Sequence, residues 1–233
     1  MASVRILPWA SVGSVLVLAA ACLPHPKGDY EDFLENTKDQ RTGSATDAAA
    51  PRIDGSAPKA NFKNVAFAVC SSPLAAGDMT KTFRFFVDTD YKAESNGGGK
   101  ADILLTAFKT TARTFARSET APEPIKFLGT TIGANARFSP STPVAIIPGA
   151  GNPNSGRDIE INNLALTGVM TEQAKFCFSF SGKAVKPIQL DFEATCLVFE
   201  MKEGDKFDFS AATDKVLIPS LNLELTEDKF VCN

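Results

Sequence analysis

The chain has 233 residues, and its 24 basic and 27 acidic residues give a formal net charge of -3. That balance provides no basic field for nucleic acid, so we expect no nucleic-acid partner. The one histidine, His25, precedes the region expected to fold, which excludes Ser-His-Asp, Cys-His and most zinc catalysis after residue 61.

Residues 1–21 predict a secretory signal. Arg5 supplies a positive start, residues 6–21 form a mostly apolar run, and small alanines occupy positions 19–21. The apolar run contains Pro8 and is only about 16 residues long, whereas a membrane-spanning helix needs roughly 20. We therefore expect cleavage before Cys22.

Residues 18–22, Leu-Ala-Ala-Ala-Cys, resemble the lipobox of bacterial lipoproteins, with the aliphatic residue four places before the cysteine rather than three. The resemblance implies diacylglycerol on the Cys22 sulfur and acylation of the new amine, so membrane lipid is the first expected partner. Leu23 in place of an aspartate implies the outer membrane by analogy. The alternative is an ordinary signal peptide that happens to end before a cysteine.

Residues 22–60 predict a flexible tether. The stretch 42–58 is rich in Ala, Ser, Thr, Gly and Pro and has few large apolar residues, so it buries too little surface to offset its ordering entropy. Within the tether, Tyr30, Phe33 and Leu34 recur at helical spacing, which predicts a short helix at 29–41. This helix is either part of the spacer or a docking peptide.

Residues 61–233 predict a single all-β domain, either an antiparallel sandwich or a barrel. Apolar residues alternate with period two in short segments separated by turn residues. The segments are 65–69, 83–87, 103–107, 159–161, 164–166, 176–180, 188–194 and 221–225. The turn signals are 95–99, 148–153 and 181–183, and we expect a hairpin around 181–187. Residues 109–118 fit a helical turn, a strand or a loop.

The polar faces of these segments predict solvated surfaces. Lys81, Arg84, Glu160 and Asp191 occupy positions where a lipid-facing barrel would need apolar residues. The chain also has 18 phenylalanines but only two tyrosines and one tryptophan. Because Phe has no polar atom, the aromatic residues indicate packing rather than a stacking platform for sugars or bases.

Four cysteines follow Cys22, and an oxidising envelope favours disulfides among Cys70, Cys177, Cys196 and Cys232. Alternation places Cys177 and Cys196 on opposite faces of one hairpin, which disfavours a bond between them. Three pairings are possible for four cysteines, and we favour Cys70–Cys177 with Cys196–Cys232.

Two loops contain candidate site residues. Asp88, Asp90 and Glu94 predict a weak calcium site in a loop, although the EF-hand order is absent and a solvated hairpin loop is the preferred interpretation. Residues 155–158, Ser-Gly-Arg-Asp, follow the loop at 148–153, for which we favour a crossover between sheets. We expect no cofactor and no catalytic residue.

Two segments support a second resemblance. Residues 29–37 carry the pattern D-Y-x-D-F-x-E-x-T, and residues 147–159 carry I-P-G-x-x-N-P-x-S-G-x-D-I. Together with the lipobox and the spacer, they resemble uncharacterised lipoproteins of myxobacteria over most of the chain. This resemblance implies no activity.

The sequence favours a lipid-anchored, non-enzymatic envelope protein whose β domain binds an unknown envelope or extracellular partner, on a surface facing away from the membrane. One alternative is a lipocalin-like carrier of a small apolar ligand, although the lipocalin G-x-W signature is missing. Another is a carboxylate-dependent hydrolase. A closed barrel with a Phe-lined void would favour the carrier, and a filled sandwich would favour the binding module.

Overall fold

The computed structural model describes residues 55–75, 77–172, 175–209, 215–226 and 230. The predicted signal, Cys22, the predicted helix at 29–41 and Cys232 lie outside these ranges. Within them, no helix is long and apolar enough to cross a bilayer. The strands in the described ranges are β1 (Phe62–Ser71), β2 (Phe83–Ala93), β3 (Gly99–Ala107), β4 (Ile125–Ile132), β5 (Arg137–Phe138), β6 (Ser141–Ile147), β7 (Ile159–Glu172), β8 (Lys175–Lys186), β9 (Leu190–Phe199), β10 (Val216–Ile218) and β11 (Leu223–Leu225).

The first nine strands form one antiparallel sheet whose spatial order largely follows the chain. β1 to β4 pair consecutively, β7 pairs with both β5 and β6, and β8 and β9 follow. The sheet then turns back on itself because β9 pairs with β1. No ladder among the described residues joins β4 to β5 or β6, and we call this opening the seam. The all-β prediction is confirmed, and the sheet is a nearly closed barrel.

Side chains fill the inside of this barrel and form what we call the interior core. The Phe85 ring on β2 lies 5.7 Å from the Phe180 ring on β8, which is three strands away along the sheet. The rings of Phe83 on β2 and Phe192 on β9, two strands away, lie 5.6 Å apart. Because side chains on a strand alternate between faces, these contacts cross the barrel interior.

A second apolar cluster, the outer core, covers the outside of β1, β2 and β9. Its centre is Phe67 of β1, whose ring contacts four others within 6.2 Å. Residues 108–120, 200–209 and 215–225 provide the cover, joined by the isolated bridges Thr114–Lys206 and Asp208–Leu217. Residues 109–118 are therefore mostly loop, with a 3₁₀ turn at Arg117–Glu119.

The barrel has two ends, which we call the tether rim and the far rim. The tether rim carries the turns at 94–98 and 133–136, and the segment 55–61 enters there. Ala57 N donates to Ala134 O at 3.2 Å, and the Tyr91 hydroxyl lies 2.9 Å from Pro58 O. The far rim carries the loops at 72–82, 108–124, 148–158 and 187–189.

Two predicted turns have different outcomes. The chain does turn at 95–98, but residues 181–183 lie inside β8, and the turn to β9 comes at 187–189. Gly182 is present for packing, because a Cβ there would lie 2.7 Å from Ile161 Cγ2. The predicted hairpin therefore exists, but its turn was placed several residues too early.

The predicted segments 159–161 and 164–166 belong to one strand, β7. Its register shifts between Asn162 and Ala165, and Asn163 adopts a φ of 51°. Asparagine tolerates this left-handed conformation better than most residues. The irregularity lets both Ile161 and Leu164 point into the interior core although they are three residues apart.

Candidate functional site

The outer face of β2 carries the candidate site. Phe83, Phe85 and Val87 point into the barrel, so the residues between them point outward. From the far rim toward the tether rim these outward residues are Arg84, Phe86, Asp88 and Asp90. The row passes from beneath the outer core to an open, charged surface.

Arg84 is buried under the outer core, with only 3% of its surface exposed. Its Nη2 donates to Thr110 O at 3.2 Å, and its guanidinium lies 4.6 Å from the centre of the Phe209 ring. Its Nη1 is buried and has no hydrogen-bond partner. Buried arginines are almost always paired, so this arrangement is unusual. The prediction that Arg84 faces solvent is wrong because the outer core covers this part of β2.

A second cation lies beside Arg84. Arg113 Nη1 donates to the same carbonyl, Thr110 O, at 3.3 Å and to Ala112 O at 2.8 Å. Burial, and then the charge of Arg113, lower the pKa of Arg84 to about 10. That change disfavours the charged form of Arg84 by on the order of 3 kcal/mol. A negative charge near both guanidinium groups would reverse the effect.

Arg117 provides a contrast, because this arginine of the same outer face is paired. Its Nη1 and Nη2 donate to the Asp88 carboxylate at 3.1 and 2.6 Å, and its guanidinium stacks 4.5 Å from the Phe86 ring. Hydrogen bonding to Asp88 raises the pKa of Arg117. The fold therefore satisfies one arginine of this face and leaves another short of a partner.

Nearer the tether rim, the same face forms an open groove of about 350 Å³. Its lining residues are Lys63, Asn64, Val65, Asp88, Thr89, Asp90 and Leu104. Asp90 lies 2.7 Å from Lys63 Nζ and 3.5 Å from Lys92 Nζ. The hydrogen bond from Lys63 is the largest cause that lowers the pKa of Asp90. The groove combines an apolar floor with charges that already neutralise one another.

The calcium candidate is not assembled. Asp88 and Asp90 lie within β2 rather than in a loop, because β2 continues to Ala93. Glu94 begins the following turn and accepts a hydrogen bond from Asn96 at 3.3 Å. Each aspartate contacts cationic side chains instead. In the described ranges, no group of three His, Cys, Asp or Glu side chains could hold a metal ion.

The cysteine pairing that we favoured is wrong. Cys70 is bonded to Cys196, because β1 pairs with β9 and these two residues are direct partners in that register. Opposite faces for Cys177 and Cys196 are confirmed, since Cys177 pairs with Leu197 and Cys196 lies in the interior core. Cys177 is also disulfide-bonded, and its partner lies outside the described residues.

The loop at 148–158 is held by its own hydrogen bonds. Asn152 is 1% exposed, and its Nδ2 donates to Ser155 Oγ at 2.9 Å and to Arg157 O at 2.7 Å. Asp158 Oδ1 accepts from Gly149 N at 2.7 Å. Residues 155–158 therefore complete an ordered connection from β6 to β7. Because these two strands pair with each other in one sheet, the predicted crossover between sheets is wrong. The loop also supports the arginine pair, because Thr110 N donates to Ala150 O at 2.8 Å.

Reasoning from sequence missed the arginine pair. Arg84 follows Phe83 and precedes Phe85 and Phe86, and an outward charge in an alternating strand is typical of a solvated face. The adjacent Phe85 and Phe86 carried the missed signal, because two successive phenylalanines in a strand need apolar cover on both faces. No protein-family model, curated protein or solved structure matches this chain.

Proposed function

We propose that this chain is a lipid-anchored lipoprotein of the cell envelope, whose β domain binds an envelope or extracellular partner through its surface and does not catalyse a reaction. The anchor is supported by the lipobox-like residues that end at Cys22. One observation favours surface binding over transport: the Phe85 and Phe180 rings meet at 5.7 Å across the barrel. A ligand would have to displace these rings in order to occupy the interior.

The entry point of the chain suggests which surface is used. Residues 57 and 58 hydrogen-bond to the tether rim, so an anchor upstream of them pulls on this end of the barrel. The far rim then faces away from the lipid. Leu74 and Ile188 lie in far-rim loops and are 40% and 62% exposed. Exposed apolar side chains at loop tips are suited to contact a protein partner.

The anchor is tested by a Cys22→Ser variant expressed in a bacterial host and labelled with a radioactive or clickable fatty acid. We expect the native chain to incorporate the label and to fractionate with membranes, and the variant to do neither. Acyl label that persists in the variant would contradict the anchor.

The partner surface is tested by crosslinking in intact cells. Leu74→Ser and Ile188→Ser should each reduce the yield of the crosslinked partner several-fold. Val144→Ser is a matched control, because Val144 is 52% exposed on the barrel wall rather than at the far rim. Equal loss for the control and the far-rim variants would contradict a far-rim surface.

A carrier of small apolar ligands is the second candidate, and the topology favours it, because small ligand-carrying barrels also arrange consecutive strands around a nearly closed sheet. Organic extraction of the purified chain followed by mass spectrometry tests it. A stoichiometric apolar molecule would support the carrier and count against surface binding alone.

The carboxylate-dependent hydrolase has no observation in its favour among the described residues. Asp191 and Glu193 on β9 are exposed, and the Asp191 side chain is 83% exposed. Asp88 and Asp90 are held by cationic side chains. Neither pair forms the buried, convergent arrangement that such chemistry uses.

A further inference from the structure

The two arginines at the far rim converge on one point. Arg84 Nη2 and Arg113 Nη1 both donate to Thr110 O, at 3.2 and 3.3 Å, so these two nitrogens are at most about 6.5 Å apart. Two like charges this close repel each other, and the buried one cannot be screened by water. In the ranges that the structure describes, no ion pair joins a carboxylate to either arginine.

One donor of this pair is free. Arg84 Nη1 has no hydrogen-bond partner, although it is buried. Leaving a buried charged donor unsatisfied is costly, and proteins usually avoid it. Elsewhere on the same face, Arg117 donates two hydrogen bonds to the Asp88 carboxylate. The contrast identifies Arg84 as a buried cation with a donor that the fold leaves unsatisfied.

We propose that Arg84 and Arg113 form a binding site for a small oxyanion, such as a carboxylate, sulfate or phosphate group. The oxyanion accepts hydrogen bonds from Arg84 Nη1 and from Arg113, because guanidinium groups match the geometry of such oxygens. The Phe209 ring lies 4.6 Å from the Arg84 guanidinium and forms one side of the site.

The route into this site passes Arg113. The Arg113 side chain is exposed, whereas Arg84 is 3% exposed. An anion from solution therefore meets Arg113 first and reaches Arg84 when the Arg113 side chain moves away from Thr110 O. Residues 148–158 hold Thr110 in place through the hydrogen bond from Thr110 N to Ala150 O. The site is thus built from the first residues of β2 and from loops of the far rim.

The test is a calorimetric titration of the full chain, purified in a non-ionic detergent, with sodium acetate, sulfate and phosphate at constant ionic strength. Sodium chloride is the reference. We expect at least one oxyanion to bind saturably and to raise the melting temperature above that in chloride. The series also distinguishes a planar carboxylate from a tetrahedral oxyanion.

Variants locate the binding. Arg113→Gln should weaken oxyanion binding at least tenfold, because it removes one of the two cations. Arg113 lies at the surface, so we expect this variant to keep the fold. Arg84→Lys keeps the charge but lacks the forked donors and should weaken binding similarly, and Arg84→Met should abolish it. Arg117→Gln is the matched control and should bind as the native chain does. Oxyanions that act no differently from chloride, or full affinity in Arg113→Gln, would overturn the proposal.

Discussion

The interior core and the outer core are built from similar residues but held together differently. Interior side chains come from neighbouring strands in long ladders, and the Cys70–Cys196 disulfide lies among them. The outer core is covered by loops joined through isolated bridges and one two-stranded sheet. It also contains a charged residue, Arg84, in contact with Phe209. Backbone pairing secures the first core, and ring packing secures the second.

This difference predicts unequal stability. Segments with few ladder hydrogen bonds open at a lower free energy than those in a continuous sheet. We therefore expect amide exchange at residues 108–120, 200–209 and 215–225 to be faster than in β1, β2, β8 and β9. Two further predictions test how separate the two cores are, and two more test the buried charge of the outer core and the tether rim.

The largest effect is expected from the interior disulfide. Replacing Cys70 and Cys196 together by alanine should lower the free energy of unfolding by about 4–5 kcal/mol. The reason is that the bond joins residues 126 positions apart and so closes a long loop. Equilibrium unfolding in guanidinium chloride measures this loss of stability. Cys177→Ala is the comparison, since Cys177 lies on the outer face, and it should affect the outer core more than the barrel. Equal exchange patterns in the two variants would show that the cores are not separate.

Phenylalanine truncations should separate the cores directly. Phe85→Ala in the interior and Phe67→Ala in the outer core should each lower the free energy of unfolding by about 3–5 kcal/mol. Hydrogen exchange distinguishes them. Phe67→Ala should accelerate exchange mainly at 108–120, 200–209 and 215–225, whereas Phe85→Ala should accelerate it throughout the barrel. Acceleration of the whole barrel by Phe67→Ala would mean that the two cores unfold as one.

Arg84 should make stability depend on pH. In a chloride buffer at pH 7, Arg84→Met should be more stable than the native chain by about 1–3 kcal/mol, because it removes a buried unpaired charge. The pKa of Arg84 is lowered to about 10 in the fold, below its unfolded value. The native chain therefore gains stability as pH rises above 10, and the difference should shrink by roughly 1 kcal/mol at pH 11. A difference that stays constant from pH 8 to pH 11 would contradict the burial of a charged Arg84.

The smallest effect is expected at the tether rim. Tyr91→Phe removes the hydroxyl that contacts Pro58 O and should cost about 1 kcal/mol. The clearer effect of this substitution should be faster proteolysis within residues 55–60, which mass spectrometry of the fragments measures. Thr131→Ala, an exposed change near the same rim, is the control and should leave the cleavage rate unchanged.

The sequence predicted the strands that alternate cleanly, and it missed those that do not. The segments at 65–69, 83–87 and 176–180 were identified because their large apolar residues repeat with period two. Those of 83–87 and 176–180 face the interior core, whereas Phe67 and Val69 face the outer core. β4 and β6 were not predicted, because Gly129 adopts a φ of 63° within β4 and Pro143 interrupts β6. Parity also placed Cys196 and Cys177 on opposite faces, but it could not reveal that β1 lies beside β9.

The candidate site was less predictable than the fold. A single charged residue in an alternating strand is usually solvent-exposed. The adjacent Phe85 and Phe86 indicate apolar cover on both faces, but nothing near Arg84 in the sequence shows which residues provide it. That cover depends on contacts between Phe67 and Phe207, which are far apart along the chain. Local patterns cannot encode such a layer. The placement of Asp88 and Asp90 in a loop was wrong for a related reason, since β2 continues to Ala93.

The position of the seam has a consequence for the order of folding. β1 to β4 and β5 to β9 are two meanders in which each strand pairs with one close to it along the chain. Such local pairings form quickly, whereas distant ones are slow. The ladder between β1 and β9 is the only distant pairing in the described sheet. We therefore expect two half-sheets to form first and to meet afterwards, so that Cys70 and Cys196 become oxidised only in the final step of closure.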